Sequence, residues 1–311
     1  MSNIISPLVV IVGPTASGKS ALALHLGRKF AGEIVNCDSL QVYRGMDIGT
    51  AKPSLAERQI LPHFLFDARN PDQVFTAGEY SRLARPILRE IAERQGIPIV
   101  TGGAGFYLKA LLDGLFPGPL RSDEIRERLI GIEERRVGSL HRILNCWDAD
   151  SAVRIHVNDI NKLIRALEVM ILEQQPLVAA HRKQRNRLEG FRVLKLGLQP
   201  VRAELRKRIE LRSRRIFDAG LVEEVERLRG EGYGRQAKAM ESVGYKQAQA
   251  LIAGEIHREE AIADTALRTA QYAKRQMTWF RKDTDIVWLE GFGDETAVQA
   301  QAESHLEEFL K

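Results

Sequence analysis

Short runs of apolar residues alternate with longer amphipathic stretches along most of this chain. Residues 8–12 (Leu-Val-Val-Ile-Val), 33–36, 97–101, 193–198 and 286–289 are short and almost uniformly apolar, and read as strands buried on both faces. Between them apolar positions recur every three or four residues, predicting helices over 19–30, 77–94, 105–112, 203–219, 221–229 and 259–281. This alternation predicts an α/β fold with a parallel sheet flanked by helices. The rhythm changes after Phe116-Pro-Gly-Pro119. From there to about Gln184 the chain is helical and charged, with helices predicted over 123–136, 138–145 and 159–174. A strandless stretch between two strand-bearing halves predicts an inserted helical domain. The expected organisation is a core first part at 1–118, the insertion at 119–184, and the core second part at 185–311.

The first predicted strand runs into Gly13-Pro14-Thr15-Ala16-Ser17-Gly18-Lys19-Ser20, and a good helix former, Ala-Leu-Ala-Leu-His-Leu, follows. The pattern G-x-x-x-x-G-K-[ST] in a strand–loop–helix context predicts a phosphate-binding loop. Backbone N–H groups and the positive helix end would hold a polyphosphate, Lys19 would add a point charge, and the Ser20 hydroxyl is a candidate Mg²⁺ ligand.

Composition narrows the class. The chain has 311 residues, 44% hydrophobic and 28% charged, and no apolar run of membrane-spanning length. Its N-terminus lacks the basic-then-apolar layout of a signal peptide, so a cytoplasmic location is expected. Two cysteines, Cys37 and Cys146, without metal-ligand spacing argue against a disulfide scaffold or a cysteine zinc site. Net charge is only +5, but the stretch from His181 to Arg215 holds 13 Lys/Arg against three acids. Such a run is either a phosphate-backbone footprint or a solvated helix face.

Further candidates cluster at predicted strand ends, where doubly wound sheets bind ligands. Asp38, just past the second strand, is placed to act as a general base or to face a metal, unless it merely caps the next turn. Gly102-Gly-Ala-Gly105 follows the third strand and would let a ligand approach the backbone. Near the C-terminus, Arg268, Gln271 and Arg275 share a helix face, which is either a functional surface or the wet side of an amphipathic helix with Trp279 and Phe280 in the core. Val243-Gly-Tyr-Lys-Gln247 suggests a turn carrying an aromatic and a cation.

Taken together, Gly13–Ser20, the block Asp38-Ser-Leu-Gln-Val-Tyr-Arg-Gly-Met-Asp-Ile-Gly-Thr-Ala-Lys-Pro53, Gly102-Gly-x-Gly, Ile155-His-x-Asn-Asp159, Arg165-Ala-Leu-Glu-Val169, Gly244-Tyr-Lys and Ala273-Lys-Arg-Gln-x-Thr-Trp-Phe-Arg281 resemble the tRNA dimethylallyltransferases, in family order over nearly the whole chain. The resemblance implies a P-loop NTPase-like core with an inserted helical domain that grips an anticodon stem-loop. It implies transfer of a dimethylallyl group from dimethylallyl diphosphate to N6 of the adenosine 3′ of the anticodon, with Mg²⁺ as cofactor and no obligate protein partner. Asp38 would then be the catalytic base and Arg212 a second catalytic cation on the diphosphate. Asp38, Ser39, Leu40, Gln41, Ala104, Arg126, Asn161, Lys162, Leu163, Ile164, Arg165, Gly244, Tyr245, Lys246 and Arg275 would face the tRNA.

Three positions depart from the family pattern. Ala104 stands where the family commonly has Thr, with Thr101 one strand-end away as a candidate replacement for the lost hydroxyl. Val157 replaces a Pro, and Ala270 replaces an Arg for which Arg268 is the candidate substitute. Three rival readings remain open at this point: an enzyme that prenylates free adenine nucleotides, a small-molecule kinase using ATP on the same loop, and an RNA-binding protein without activity.

Overall fold

The computed structural model describes residues 5–116, 118–176 and 186–311. The chain divides into two compact units: Met1–Leu112 with Leu188–Lys311, and Asp113–Arg187.

The larger unit is built on six strands: β1 (Ser6–Val12), β2 (Gly32–Asn36), β3 (His63–Phe64), β4 (Ile97–Thr101), β5 (Phe191–Leu198) and β6 (Ile286–Leu289). All pair in parallel, in the order β3-β2-β4-β1-β5-β6. β1 lies centrally, with Val10 opposite Val100 on one side and Lys195 on the other. Leu8, Val9, Val10 and Ile11 are wholly buried, which is why this strand is apolar at every position rather than at alternate ones.

Helices cover the sheet: α1 (Lys19–Lys29), α2 (Leu55–Ile60), α3 (Ala77–Glu93) and α4 (Gly105–Leu112) lie in the first segment of this unit. In α3, Tyr80, Ala84, Leu88 and Ile91 are spaced one turn apart and all buried, while Thr76 caps its start by accepting from the Glu79 N–H. Val9, Ile11, Leu22, Leu26, Ile99, Leu196 and Leu306 form one core cluster, joining the sheet to α1 and to the last helix.

The smaller unit holds α5 (Asp123–Arg135), α6 (Ser139–Trp147), α7 (Ala149–Arg154) and α8 (Ile160–Glu173), with no strand among its described residues. Its core of Leu129, Leu140, Leu144, Leu163, Leu167 and Val169 is separate from that of the sheet. Its boundaries, 113 and 187, enclose the expected 119–184.

The larger unit resumes with α9 (Arg202–Asp218), α10 (Leu221–Gly230), a 3₁₀ turn (Lys238–Glu241), α11 (Tyr245–Ile252), α12 (Arg258–Phe280) and α13 (Thr296–Leu310). Among the described residues no helix is long and apolar enough to cross a membrane.

Candidate active site

The Gly13–Ser20 segment joins β1 to α1 as a compact loop. Gly13 (φ +145°) and Gly18 (φ +86°) occupy the backbone region that favours glycine, and a Cβ on Gly18 would fall 2.8 Å from the Gly293 nitrogen. The loop is tied down from outside. Thr15 N–H donates to Gln276 Oε1 at 2.8 Å, Gly293 N–H donates to Ser17 O at 2.9 Å, and Arg212 Nη1 donates to Thr15 Oγ1 at 3.3 Å. Lys19 turns back on the loop, its Nζ donating to Pro14 O at 2.7 Å.

A cleft of about 180 Å³ opens over this loop, and Lys19, Ser20, Asp38, Gln41, Thr101 and Arg212 are among the residues that line it. Lys19 and Arg212 bring two cations to it. Burial lowers the Lys19 pKa to about 8; the Asp38 carboxylate opposes that shift and the Arg212 guanidinium adds to it. Burial also lowers the Arg212 pKa, against the pull of Asp38. Two cations held in one cleft, where like charges already disfavour one another, are poised to gain when an anion arrives.

Asp38 faces the same space from the end of β2. Its Oδ1 accepts the Leu40 N–H at 2.9 Å and the Gln41 N–H at 3.3 Å, so the carboxylate does cap its own turn. Oδ2 has no hydrogen-bond partner among the described residues. The capping reading of Asp38 therefore holds for one oxygen, and it leaves the other outside the turn. Cys37 beside it is buried, and burial pushes its thiol up to about 12, as for an inert core cysteine.

Thr101 ends β4 beside the loop. Its Oγ1 and that of Ser17 are buried without a hydrogen-bond partner. In a well-satisfied interior an orphaned hydroxyl calls for an explanation, and these two line the cleft. Ala104 contributes backbone only, its N–H donating to Cys37 O at 3.1 Å.

Gln276 is the residue whose role the sequence leaves unassigned. It is buried on α12, and while its Oε1 takes the Thr15 N–H, its Nε2 donates to Gly103 O at 3.0 Å. One amide thus joins the phosphate loop to the Gly102–Gly105 loop. A Cβ on Gly103 would lie 2.0 Å from that Nε2, which explains a glycine there without any appeal to ligand approach. The only local signal was the polar residue itself, set among Ala273 and Phe280 on an inward helix face.

The other expected contacts divide by burial. Ser39, Leu40 and Gln41 are half-buried at the cleft rim, with Gln41 Nε2 donating to Thr50 O and Ala51 O at 3.2 Å each. Tyr245 is wholly buried: its hydroxyl donates to Glu224 Oε1 at 2.6 Å, and the same carboxylate accepts the N–H groups of Asp47, Ile48 and Gly49. Gly244 is buried before it, so of this trio only Lys246 is exposed. Tyr245 therefore braces the Asp38–Pro53 block instead of presenting an aromatic face. Arg275 is exposed, its guanidinium 5.7 Å from the Tyr272 ring centre. Arg268 is bound to Asp264 at 2.7 Å on its own helix.

In the helical unit, Asn161 and Lys162 are exposed, while Leu163 and Ile164 are buried in its core. Arg126 and Arg165 converge on Glu168, which also accepts the Ser122 N–H at 2.8 Å. Burial would raise the Glu168 pKa, but these bonds outweigh it and lower it to about 2. The two arginines are thus oriented by a buried carboxylate.

Of the basic run, Lys183, Arg182 and Arg185 lie outside the described residues. The described part is not one continuous face, because most of it is split between β5 and α9 and four of its cations are paired. Lys195 binds Asp283, Arg206 binds Glu210, Arg208 binds Asp294 and Arg214 binds Glu259.

Comparison with known proteins agrees with this geometry. A family model described as IPP transferase matches residues 41–283. A tRNA dimethylallyltransferase of Solibacter usitatus is 50% identical over 304 residues, 98% of this chain and 99% of the relative, and one of Koribacter versatilis is 49% identical over 95% and 96%. Among solved structures, a tRNA isopentenylpyrophosphate transferase of Bacillus halodurans matches with TM-score 0.70 at 32% identity, covering 97% of both chains. A eukaryotic dimethylallyltransferase acting on tRNA matches with TM-score 0.82 at 26% identity, covering 98% of this chain and 79% of the other. The sheet flanked by helices is the P-loop NTPase-like fold of these neighbours. With half of its residues shared across nearly its full length, the chain belongs to the tRNA dimethylallyltransferase family, the IPP transferases.

Proposed function

We propose that this protein transfers the dimethylallyl group of dimethylallyl diphosphate to N6 of the adenosine 3′ of the anticodon in tRNA, releasing diphosphate. The observation that carries the reading is the shared cleft: Lys19 and Arg212 face the same space as the Asp38 carboxylate. An anion cradle and a base within one cavity suit a reaction that releases diphosphate while a nucleophile loses a proton.

The adenine amine is a poor nucleophile because its lone pair is delocalised into the ring. In the step proposed, the N6–carbon bond forms as the carbon–oxygen bond to diphosphate breaks. Asp38 Oδ2 takes the N6 proton, while Oδ1 stays on the Leu40 N–H and keeps the carboxylate oriented. Lys19, Arg212 and the loop N–H groups hold the charge that gathers on the leaving oxygens. Gln276 fixes the Thr15 and Gly103 backbones relative to each other throughout.

Mg²⁺ is the proposed cofactor, and the residues present fit it. Ser20 is exposed to the cleft, and Ser17 and Thr101 hold orphaned hydroxyls there, all hard oxygen donors. No group of three His, Cys, Asp or Glu forms a metal cage among the described residues. When bound, it would offset the negative charge of the diphosphate.

The test is mass spectrometry of an unmodified anticodon stem-loop incubated with the protein, Mg²⁺ and dimethylallyl diphosphate, beside a tube in which ATP replaces the isoprenoid. A gain of one C5H8 unit on the target adenosine is expected, and its loss on chelation of Mg²⁺. An unchanged stem-loop together with ATP consumption would return the loop to a kinase.

A further inference from the structure

Two large aromatic side chains stand exposed on α4 and α12: Phe106 at 53% and Trp279 at 43% of full exposure. Their rings meet edge to face, 6.3 Å between centroids and 85° apart. Trp279 lies flat enough against Gly105 that a Cβ there would fall 2.2 Å from its Cδ1. The inward face of α12 is already filled by Ala273, Gln276 and Phe280, so Trp279 is turned to water. A lone exposed aromatic is ordinary, but a packed pair of them marks a contact surface.

The charges around the pair are arranged differently from those elsewhere on the same helix. Toward the start of α12, Arg258 is bound to Asp218, Glu259 to Arg214, and Arg268 to Asp264. At its end, Lys274, Arg275, Arg281 and Lys282 are exposed and have no carboxylate partner among the described residues. Lys274, Arg275 and Lys282 line one groove with Trp279. Aromatic faces with unneutralised cations beside them are what an unpaired nucleic acid strand requires, the faces for its bases and the cations for its phosphates. A second copy of this chain fits less well, since pairing the surface with itself would bring these cations together.

The location joins this surface to the chemistry. Gln276, one helical turn before Trp279, bonds to Thr15 and Gly103, and two residues after Gly103 the chain passes Gly105 under the Trp279 ring to reach Phe106. We propose that Phe106 and Trp279 form a stacking platform for an unpaired nucleobase flanking the adenosine to be modified, with Lys274, Arg275 and Lys282 holding the adjoining phosphates. The proposal rests on the tRNA reading above and specifies how the strand is held open beside the reacting base.

The full-length protein would be titrated, by fluorescence anisotropy, with anticodon stem-loops that carry either the natural base or an abasic nucleotide at each position flanking the target. Trp279→Ala should weaken binding of the natural stem-loop about tenfold. One abasic position should weaken wild type by a similar factor and the variant less than twofold. Phe106→Ala should give the same non-additive pattern, with affinity for inorganic pyrophosphate unchanged in both variants. Additive losses at every position would overturn the platform while leaving the tRNA reading intact, whereas failure of wild type to bind any stem-loop would overturn both. Weakened pyrophosphate binding in both variants would reduce the pair to a support for Gln276. A concentration-dependent dimer lost in Trp279→Ala would identify a self-contact instead.

Discussion

The side-chain carbonyl of Gln276 accepts the Thr15 N–H at 2.8 Å, so a residue of the penultimate helix sets the position of the phosphate loop. Because Nε2 of the same amide donates to Gly103 O, one side chain bonds both loops.

Gln276→Glu keeps the acceptor for Thr15 but loses the donor to Gly103 and brings negative charge beside the phosphate loop. It should raise the Kd for dimethylallyl diphosphate at least tenfold, and Gln276→Ala should lower thermal stability by about 1–3 kcal/mol through two unmet buried backbone groups. Calorimetric titration and thermal melts read these separately. Wild-type affinity in Gln276→Glu would remove the brace from the binding argument.

Lys19, with its pKa lowered to about 8 by burial, should make diphosphate binding pH-dependent. Above pH 8 the free protein loses that cation, so affinity for inorganic pyrophosphate should fall, by up to tenfold per pH unit. Stability runs the other way. The unfolded chain binds more protons than the folded one between about pH 8 and the ordinary lysine value, so the burial penalty is full below pH 8 and fades as pH rises. Lys19→Met should therefore melt higher than wild type at pH 7, with the gap narrowing toward pH 10, while binding no pyrophosphate.

Asp38→Asn preserves the Oδ1 acceptor for the Leu40 N–H and removes the base. Turnover should fall by about 10²–10⁴ while stem-loop affinity changes less than about threefold. An equal fall in both would make Asp38 a binding residue.

Thr101→Val replaces an orphaned hydroxyl by a methyl of similar shape. The melting temperature should hold or rise, since no hydrogen bond is lost in the free protein, while turnover falls about tenfold. Unchanged turnover would show that Thr101 does not stand in for the hydroxyl absent at Ala104, and Ala104→Thr would then be the informative gain-of-rate variant.

Glu168, lowered to about 2, should stabilise the helical unit above the ordinary glutamate range and lose that contribution as pH falls through 2. Glu168→Ala should cost on the order of 3 kcal/mol at neutral pH by leaving Arg126 and Arg165 without their partner. Urea unfolding followed by circular dichroism measures it.

Much of this architecture could be read from the sequence where the signal is local. Leu8–Val12 is buried on both faces and so carries no alternation, and Gly13–Ser20 announces itself by its glycines and lysine. Other elements gave little: β3 has only two residues, too few for any period, and α2 shows mainly as the capping box Ser54-x-x-Glu57. α13 buries Val298, Ala302 and Leu306 at helical spacing, but its alanines leave the stripe faint. The contacts that make the site are nonlocal. Arg212 and Thr15 are 197 residues apart, and Gln276 and Thr15 are 261 apart, distances at which no spacing rule operates. One of two readings of this helix, the amphipathic one, puts Trp279 in the core. It is exposed because Gln276 and Phe280 already take the inward positions, and the claim of a polar residue on that face could be seen only in three dimensions.

The pairing of β1 with β5 also orders events in time. β1, which carries the phosphate loop at its end, has β4 on one edge and seven residues of β5 on the other, and β5 follows the entire helical unit in sequence. While the chain is being made, one edge of the central strand stays open until Phe191–Leu198 has emerged. The helices of Asp113–Arg187, whose contacts are local and whose core is their own, can close first. A nascent chain paused within that unit would expose an apolar strand edge, a site for chaperone capture or aggregation, and the Gly13–Ser20 loop would be among the last parts to gain a fixed shape.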